Sequence, residues 1–225
     1  SPLMPLGAKP AQLLISPSGA DEQRFKGATP ASMPPRFLAV GRFVAKKGPL
    51  DTLEAFALLR DLTDQADACS LVMVGDGPLL PTVQERVRQL GLEKLVQFPG
   101  VLSPDAVAEE MRRARVFVQH SRTAEDGDEE GCPVSVMEAQ LCGLPVVATR
   151  HGGIPDVVVD QQTGRLVQEG DRRGMAEAMA LLADSPDLAG AWGAAGHRRA
   201  RAGFTVAHHV DQITMLLNDL VDNRR

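Results

Sequence analysis

Short apolar runs alternate along this chain with longer segments of helical pattern, and this alternation constrains the fold more than any other feature. Six runs predict strands, at residues 13–16, 37–40, 71–74, 95–98, 116–118 and 145–148. Several of them are apolar at consecutive positions, as expected for parallel strands that helices cover on both faces. The alternation therefore predicts a doubly wound α/β domain with a parallel, Rossmann-like sheet.

The segments between these runs predict helices at about 48–60, 79–91, 104–113, 133–142 and 171–184, followed by a pair at about 187–201 and 206–221. Ligands of doubly wound folds bind beyond the carboxyl ends of the strands. Four loops follow predicted strands and should converge there on one crevice. They contain Gly41-Arg42, Gly75-Asp76-Gly77, Gly100-Val101 and Glu130.

Composition excludes several classes of protein. The 225 residues are 44% hydrophobic and 24% charged, which is ordinary for a folded domain, and the net charge of −5 gives no reason to expect nucleic acid as a partner. The three cysteines lack C-x-x-C spacing and predict reduced thiols. No apolar run is long enough for a membrane span, and residues 1–10 do not resemble a signal peptide. We therefore expect a soluble, cytoplasmic protein.

Two glutamates, Glu130 and Glu138, frame a predicted helix start at Pro133, because proline is favoured in the first helical turn. Unpaired N–H groups at a helix N-terminus attract an anion such as a diphosphate. A carboxylate can accept hydrogen bonds from two neighbouring hydroxyls of a sugar. A sugar, a diphosphate or a ribose would fit this segment, and an acidic loop before an ordinary core helix remains the alternative.

Arg42 and Lys47 could both reach a phosphate in the crevice, since one ends a predicted strand and the other precedes the next helix. The guanidinium offers a planar fork and the ammonium a compact charge, which together suit a diphosphate and the charge that develops if it leaves. Two solvated surface cations are the alternative interpretation.

Other candidate motifs favour structural interpretations. Gly75-Asp76-Gly77 resembles the start of a dinucleotide-binding fingerprint, but Leu80 replaces the third glycine, which favours a tight turn. The turn at 151–156 could offer N–H groups to a ligand or be a turn only. Asp126 and Asp128 have metal-binding spacing but lack further ligands, so we predict no metal. Cys132 at a helix start favours a small buried side chain over a nucleophile.

Several motifs together resemble the retaining glycosyltransferases of family 4, and their order and spacing match over about residues 11–222. The matching segments are Gly41-Arg42 with Lys47-Gly48, residues 74–78, residues 96–100, Glu130-Gly131 with Glu138-Ala139, and residues 142–156. The stretch 123–131 further resembles members that build exopolysaccharides of the colanic acid type.

The resemblance implies a GT-B fold, in which two Rossmann-like domains face each other across a cleft. This chain matches only the C-terminal, donor-binding domain, with a core at about 11–200 and a terminal helix at about 206–221. The N-terminal acceptor-binding domain is absent from the sequence. The resemblance also implies no cofactor and no metal requirement, with a UDP- or GDP-sugar as donor and a glycan or lipid-linked acceptor. The full-length protein could be peripheral at the inner membrane face.

Matching positions imply roles for individual residues. Glu130 resembles the carboxylate that meets the donor sugar, and Glu138 the one that accepts from both ribose hydroxyls. Arg42 and Lys47 match the diphosphate cations. The remaining donor-binding residues implied by the resemblance are Gly41, Gly100, Val101, Gly131, Cys132, Val134 and Ser135. Pro133 lacks the N–H group that other residues would provide at this position.

The implied reaction transfers a hexose with retention and needs no protein nucleophile. The fragment alone would be nearly inactive. An epimerase or phosphorylase of the same fold and a non-catalytic Rossmann-like module are the alternative functions. The terminal helix carries an apolar stripe for which we expect a partner surface, and exposure of the stripe predicts self-association. It comprises Val210, Ile213, Leu216, Leu217, Leu220 and Val221.

Overall fold

A computed structural model describes residues 16–222 of the chain, together with Gly7, Lys9, Leu13 and Leu14. Within this part, six strands form one parallel sheet in the order β3-β2-β1-β4-β5-β6. Their bounds are β1 Arg36–Val40, β2 Ser70–Val74, β3 Val96–Gly100, β4 Val116–Gln119, β5 Val146–Thr149 and β6 Gly164–Val167. The predicted α/β fold with a Rossmann-like sheet is confirmed.

Helices cover both faces of the sheet. They are α1 Pro49–Leu59, α2 Leu80–Gln89, α3 Pro104–Arg112, α4 Val134–Cys142, α5 Ile154–Val157, α6 Arg172–Asp184, α7 Pro186–Gly203 and α8 Val206–Asp222. Strand β1 illustrates the layering, because Phe37 packs with α1 and α6 on one face while Leu38 packs with α3 and α4 on the other. Strands buried on both faces explain the consecutive apolar residues of the sequence.

The order of the strands reverses between β1 and β4, which are neighbours in the sheet although two strands separate them in the chain. The connections from β1 and β4 leave in opposite directions at this point, which opens a crevice beyond their carboxyl ends. Gly41-Arg42 follows β1 directly, and the long loop with Glu130 connects β4 to α4. Two of the predicted site segments therefore meet at the switch point of the sheet.

Some elements differ from the sequence prediction. The strand predicted at 13–16 is wrong for Leu13, Leu14 and Ser16, which lie outside the sheet, and Ile15 is outside the described residues. The prediction missed β6 and the short helix α5. Strand β6 lies at the edge of the sheet, where Arg165 is only half buried. An edge strand needs fewer apolar residues than a central one, and its run was too short to stand out.

A backbone clasp outside the sheet connects the beginning of α8 to the segment before β1. Ala20 donates its N–H group to the carbonyl of Phe204 at 2.9 Å, and Val206 donates to the carbonyl of Ala20 at 3.1 Å. The Ser16 hydroxyl also lies 2.8 Å from Nδ1 of His209. These bonds connect the first turn of α8 to the domain.

The apolar stripe of α8 is exposed as predicted, and no side chain of this helix is buried. Val210, Leu217 and Val221 are each more than half exposed, whereas Ile213 is half buried. Self-association through this surface stays a prediction. Among residues 16–222, no helix combines the length and the apolar composition needed to cross a membrane.

Candidate functional site

The loop after β1 is supported from below by the glycine turn after β2. A Cβ atom on Gly75 would lie 2.0 Å from the carbonyl oxygen of Gly41, so only glycine fits there. The N–H group of Phe43 donates to the carbonyl of Asp76 at 2.9 Å. The Gly75-Asp76-Gly77 segment therefore serves as a turn that supports the Gly41-Arg42 loop, in agreement with the structural interpretation of its sequence.

Lys47 lies in a short 3-10 helix, Ala45–Lys47, and reaches the loop before α4. Its Nζ atom is 2.5 Å from Oε2 of Glu130, and both side chains are largely buried, with 17% and 9% exposed. This ion pair joins two predicted site residues that are far apart in the sequence. A positive and a negative group are thus held together at the edge of the crevice.

Lys46 strengthens this connection, which the sequence analysis did not anticipate. Its Nζ atom lies 2.8 Å from Asp128 and 3.8 Å from Oε1 of Glu130. The hydrogen bond that Lys46 donates to the Asp128 carboxylate raises the pKa of Lys46. Asp128, one of the two aspartates with metal-binding spacing, therefore pairs with a lysine. The other acidic residues at 125–129 are exposed, as mutual repulsion requires.

Arg42 differs from the lysines, because its exposed guanidinium has no hydrogen-bond or ion-pair partner in the described part of the chain. It follows β1 directly and borders a small pocket with Gly41, Lys47 and Gln119. Arg42 can therefore bind an anionic ligand without losing an existing contact, whereas Lys47 must first release Glu130.

Helix α4 begins at Val134, one residue later than predicted, because Pro133 adopts an extended conformation with φ of −65° and ψ of 121°. No acceptor among the described residues pairs with the N–H groups of Cys132, Val134 or Ser135. The Ser135 hydroxyl lies 3.1 Å from Oε1 of Gln119, at the end of β4. The start of α4 is thereby fixed at the switch point with its backbone donors free.

The Cys132 thiol lies at this helix start but is a poor nucleophile. Burial, together with the smaller effects of the Asp156 and Glu130 charges, raises its pKa to about 11. The thiol therefore stays protonated at neutral pH, and only the thiolate is reactive. The predicted role as a small, partly buried side chain agrees with this environment. Cys69 and Cys142 are buried, and all three cysteines are free thiols.

Glu138 lies on the second turn of α4 and has no hydrogen bond or ion pair with any described residue. Burial raises the pKa of its carboxyl group to about 7, although the charge of Arg24 opposes the shift. A half-buried carboxyl without a partner is destabilising once it ionises. This side chain is therefore prepared to accept hydrogen bonds from a ligand.

Gly100 is the last residue of β3, at the edge of the sheet, and Val101 follows it. Gly100 has a φ of +76° and accepts a hydrogen bond from the N–H group of Gly75 at 2.9 Å. The Val101 side chain is 76% exposed. These residues are thus connected to the loop after β1 through Gly75, and Val101 presents an open apolar surface that a flat ring could cover.

The glycine turn after β5 is packed against the loop that carries Glu130. A Cβ atom on Gly152 would lie 2.0 Å from the carbonyl oxygen of Glu130, and the N–H group of Gly153 donates to the carbonyl of Gly131. Sequence reasoning left open whether these N–H groups meet a ligand. For Gly153 the donor is used within the protein, so this turn supports the site from behind.

Replacing Gly152 with alanine should destabilise the protein much more than the same change at Gly91. Both glycines have positive φ, of +50° and +66°, but the added Cβ at Gly91 meets nothing within 4 Å. The backbone strain alone costs about 1 kcal/mol, and the clash at Gly152 should add about 2 kcal/mol. Urea unfolding of both variants measures the difference. Equal losses at the two positions would contradict the tight packing of the turn.

The arrangement is an α/β domain with a polar candidate site at its switch point, where Lys47 pairs with Glu130, Arg42 borders the same pocket as Lys47, and the backbone donors at the start of α4 are free of described partners. The chain belongs to the family of glycosyl transferases group 1, whose model matches residues 20–199. The resemblance inferred from the motifs is thereby confirmed.

Named relatives extend this result. The chain is 34% identical over 191 residues to an Escherichia coli protein named as the colanic acid biosynthesis glycosyltransferase WcaL, covering 83% of this chain and 46% of the relative. It is 33% identical over 197 residues to a GDP-mannose-dependent phosphatidylinositol monomannoside mannosyltransferase of Mycobacterium tuberculosis, covering 83% and 50%. The chain spans about half the length of these relatives.

Solved structures share the fold. An Anabaena protein, HepE, determined with UDP, superposes with a TM-score of 0.82 at 20% identity, covering 96% of this chain and 60% of HepE. A sucrose-phosphate synthase from Thermosynechococcus elongatus superposes with a TM-score of 0.82 at 26% identity, covering 98% and 56%. The fold of this chain thus matches that of GT-B glycosyltransferases.

Proposed function

We propose that this chain is the donor-binding domain of a retaining glycosyltransferase. It binds a nucleoside-diphosphate hexose and, with an acceptor-binding domain outside this chain, transfers the hexose to a glycan or lipid-linked acceptor in polysaccharide biosynthesis. The observation that carries the proposal is the pairing of Lys47 with Glu130 beside the free guanidinium of Arg42, at the switch point of the sheet. Two cations that can bind a diphosphate and a carboxylate that can accept from sugar hydroxyls therefore lie close together at the switch point.

Each part of the donor then has a partner. Arg42, Lys47 and the free N–H groups at the start of α4 bind the diphosphate, since a helix N-terminus attracts anions. The Glu130 carboxylate accepts from hydroxyls of the hexose, and the Glu138 carboxylate accepts from both ribose hydroxyls. The base lies against Gly100 and Val101. Gly41 allows the diphosphate to approach the backbone after β1.

The reaction follows from these contacts. The bond between the anomeric carbon and the diphosphate oxygen breaks, and its electron pair stays on the diphosphate. Arg42 and Lys47 stabilise the charge that develops there. The acceptor oxygen forms its bond to the same face of the anomeric carbon, and its proton passes to the departing diphosphate. This scheme uses no protein nucleophile, which agrees with the high pKa of Cys132, and we propose that it uses no metal or cofactor.

The choice of nucleotide lies between UDP and GDP. The mannosyltransferase relative is named as GDP-mannose-dependent, whereas the structurally similar Anabaena protein was determined with UDP. Titration calorimetry of the folded chain with UDP, GDP, UDP-glucose and GDP-mannose tests the proposal. We expect saturable binding of one nucleotide series below millimolar concentration. Folded protein that binds none of the four ligands at millimolar concentration would overturn the proposal.

The same protein and nucleotide sugars also distinguish a glycosyltransferase domain from an epimerase of similar fold. We expect the nucleotide sugar to remain unchanged when it is incubated with the chain and no acceptor is present. Proton NMR of the anomeric signals detects a new epimer directly. Formation of an epimer under these conditions would assign the chain to a different reaction.

A further inference from the structure

His151 is a buried histidine behind the site, and its two ring nitrogens have different partners. Only 3% of the residue is exposed. Its Nε2 atom accepts a hydrogen bond from the backbone N–H group of Glu130 at 3.0 Å. Its Nδ1 atom lies 2.6 Å from Oε1 of Glu169. The residue thus connects a carboxylate after β6 to the backbone of the loop before α4.

These partners determine which nitrogen carries the proton. A backbone N–H group only donates, so Nε2 must present its lone pair to Glu130. An ionised carboxylate only accepts, so Nδ1 must carry the hydrogen. Burial raises the pKa of Glu169, but the hydrogen bonds from His151 and Thr123 together with nearby positive charge lower it below its ordinary value, so this carboxylate is ionised at neutral pH. The ring is therefore neutral, in the Nδ1–H form.

Glu169 also binds the other end of the same loop. Its Oε2 atom accepts from the backbone N–H group of Thr123 at 2.9 Å. One carboxylate thereby fixes Thr123 directly and Glu130 through His151. Between these two points lie the acidic residues 125–129, whose charges repel one another and favour an open loop. The two backbone contacts counteract this repulsion.

We propose that His151 and Glu169 are positioning residues, which hold the backbone of Glu130 so that its carboxylate can meet the donor sugar. The inference rests on the proposed function and deepens it. Lys47 also holds Glu130, but it does so through the carboxylate, and a diphosphate competes for the same ammonium group. The contact from His151 reaches the backbone and persists when Lys47 turns to the diphosphate. It therefore acts when the donor is bound.

Two substitutions at position 151 separate the hydrogen bond from packing. His151→Leu keeps much of the volume but removes the acceptor, whereas His151→Gln places an amide oxygen near the position of Nε2. His209→Leu is the control, because His209 lies on α8 and bonds only to Ser16 among side chains of the described residues. All variants are first compared by thermal unfolding to establish that they fold.

The readout is the ratio of affinities for the nucleotide sugar and for its nucleoside diphosphate, measured by calorimetry with UDP and UDP-glucose or with GDP and GDP-mannose, whichever pair the wild type binds. In His151→Leu the preference for the sugar conjugate should fall about 10-fold, while affinity for the diphosphate stays within about twofold. His151→Gln should restore most of the preference, and the His209 control should match the wild type.

Other outcomes overturn the inference in distinguishable ways. Wild-type protein that binds neither ligand contradicts the proposed function itself. Wild-type protein that binds both equally, or a His151→Leu variant that loses both affinities equally, contradicts the positioning role alone.

Nitrogen-15 NMR provides a test without ligand. We expect the ring signals of neutral Nδ1–H histidine and slow exchange of the Glu130 amide proton, which His151→Leu accelerates and His151→Gln preserves. A ring in the Nε2–H form, or a Glu130 amide that exchanges equally fast in wild type and His151→Leu, would overturn the inference.

Discussion

The variant Glu138→Gln should be more stable than the wild type at pH 8 and yet bind the nucleotide less tightly. The carboxyl group has a pKa near 4.5 in the unfolded chain, and burial raises it to about 7 in the folded domain. The folded state therefore holds more protons than the unfolded state between these values, and the free energy of unfolding falls as pH rises through this window. Glutamine, which never ionises, avoids the loss.

The expected difference in stability is about 3 to 3.5 kcal/mol at pH 8 and near zero at pH 4, since each unit of pKa shift corresponds to about 1.4 kcal/mol. Chemical denaturation of both proteins at the two pH values measures it. Glu93→Gln is the matched control, because Glu93 is exposed. A Glu138→Gln variant with the same stability as the wild type at pH 8 would contradict the burial effect.

Nucleotide binding should lower the pKa of Glu138, which burial raises in the free domain. Ribose hydroxyls donate to the ionised form and lower the pKa in the complex. Nucleotide binding at pH 6 should therefore release a proton, and affinity should rise with pH until about pH 7 and then level off. Calorimetry in buffers of different ionisation enthalpy counts the protons released. Affinity that is independent of pH, or equal in wild type and Glu138→Gln, would exclude a ribose contact at this residue.

The variant Lys47→Met should lose about 10- to 100-fold in affinity for the nucleoside diphosphate, because hydrogen bonds to a charged partner contribute about 1.5 to 3 kcal/mol. Methionine keeps most of the length and removes the ammonium group. Lys94→Met is the control, since Lys94 is exposed. Calorimetry with UDP and GDP measures the change. Unaltered affinity in a folded Lys47→Met variant would show that this cation does not meet the diphosphate.

Glu130→Gln should have the opposite effect on the same ligand. In the free protein the Glu130 carboxylate occupies the Lys47 ammonium at 2.5 Å. Removing the charge releases the lysine, so the diphosphate should bind as well as before or more tightly, while the extra affinity of the nucleotide sugar falls. Equal loss for both ligands would mean that Glu130 does not distinguish the sugar.

Sequence reasoning predicted the fold well where strands are covered on both faces. The central strands β1, β2 and β4 are apolar at consecutive positions, because both of their faces are buried. Strand β6 has only Leu166 and Val167 as an apolar pair, which is shorter than the apolar runs of the predicted strands. A local pattern reports burial, so it identifies central strands better than edge strands.

The sequence predicted candidate site residues one by one but not the contacts among them. Arg42, Lys47 and Glu130 were recognisable because each follows a strand with the charge that a donor requires. The contact between Lys47 and Glu130 spans 83 positions, and nothing local to either residue indicates it. Likewise, His151 and Glu169 lie on opposite sides of β6, which the sequence analysis missed. Pairs of this kind emerge only when the order of the strands is known.

The clasp between Ala20 and the start of α8 brings the first and last described segments of the domain close together in space. The backbone at Phe204 and Val206 lies within hydrogen-bonding distance of Ala20, in the segment before β1. Such a domain can be circularly permuted, because the order of its segments in the sequence can change while the order of the strands in the sheet stays the same. Joining the segments on either side of the clasp, and opening the chain at the exposed pair Asp67-Ala68 before β2, would give a rearranged protein of the same architecture. We expect such a circular permutant to keep the crevice at the switch point.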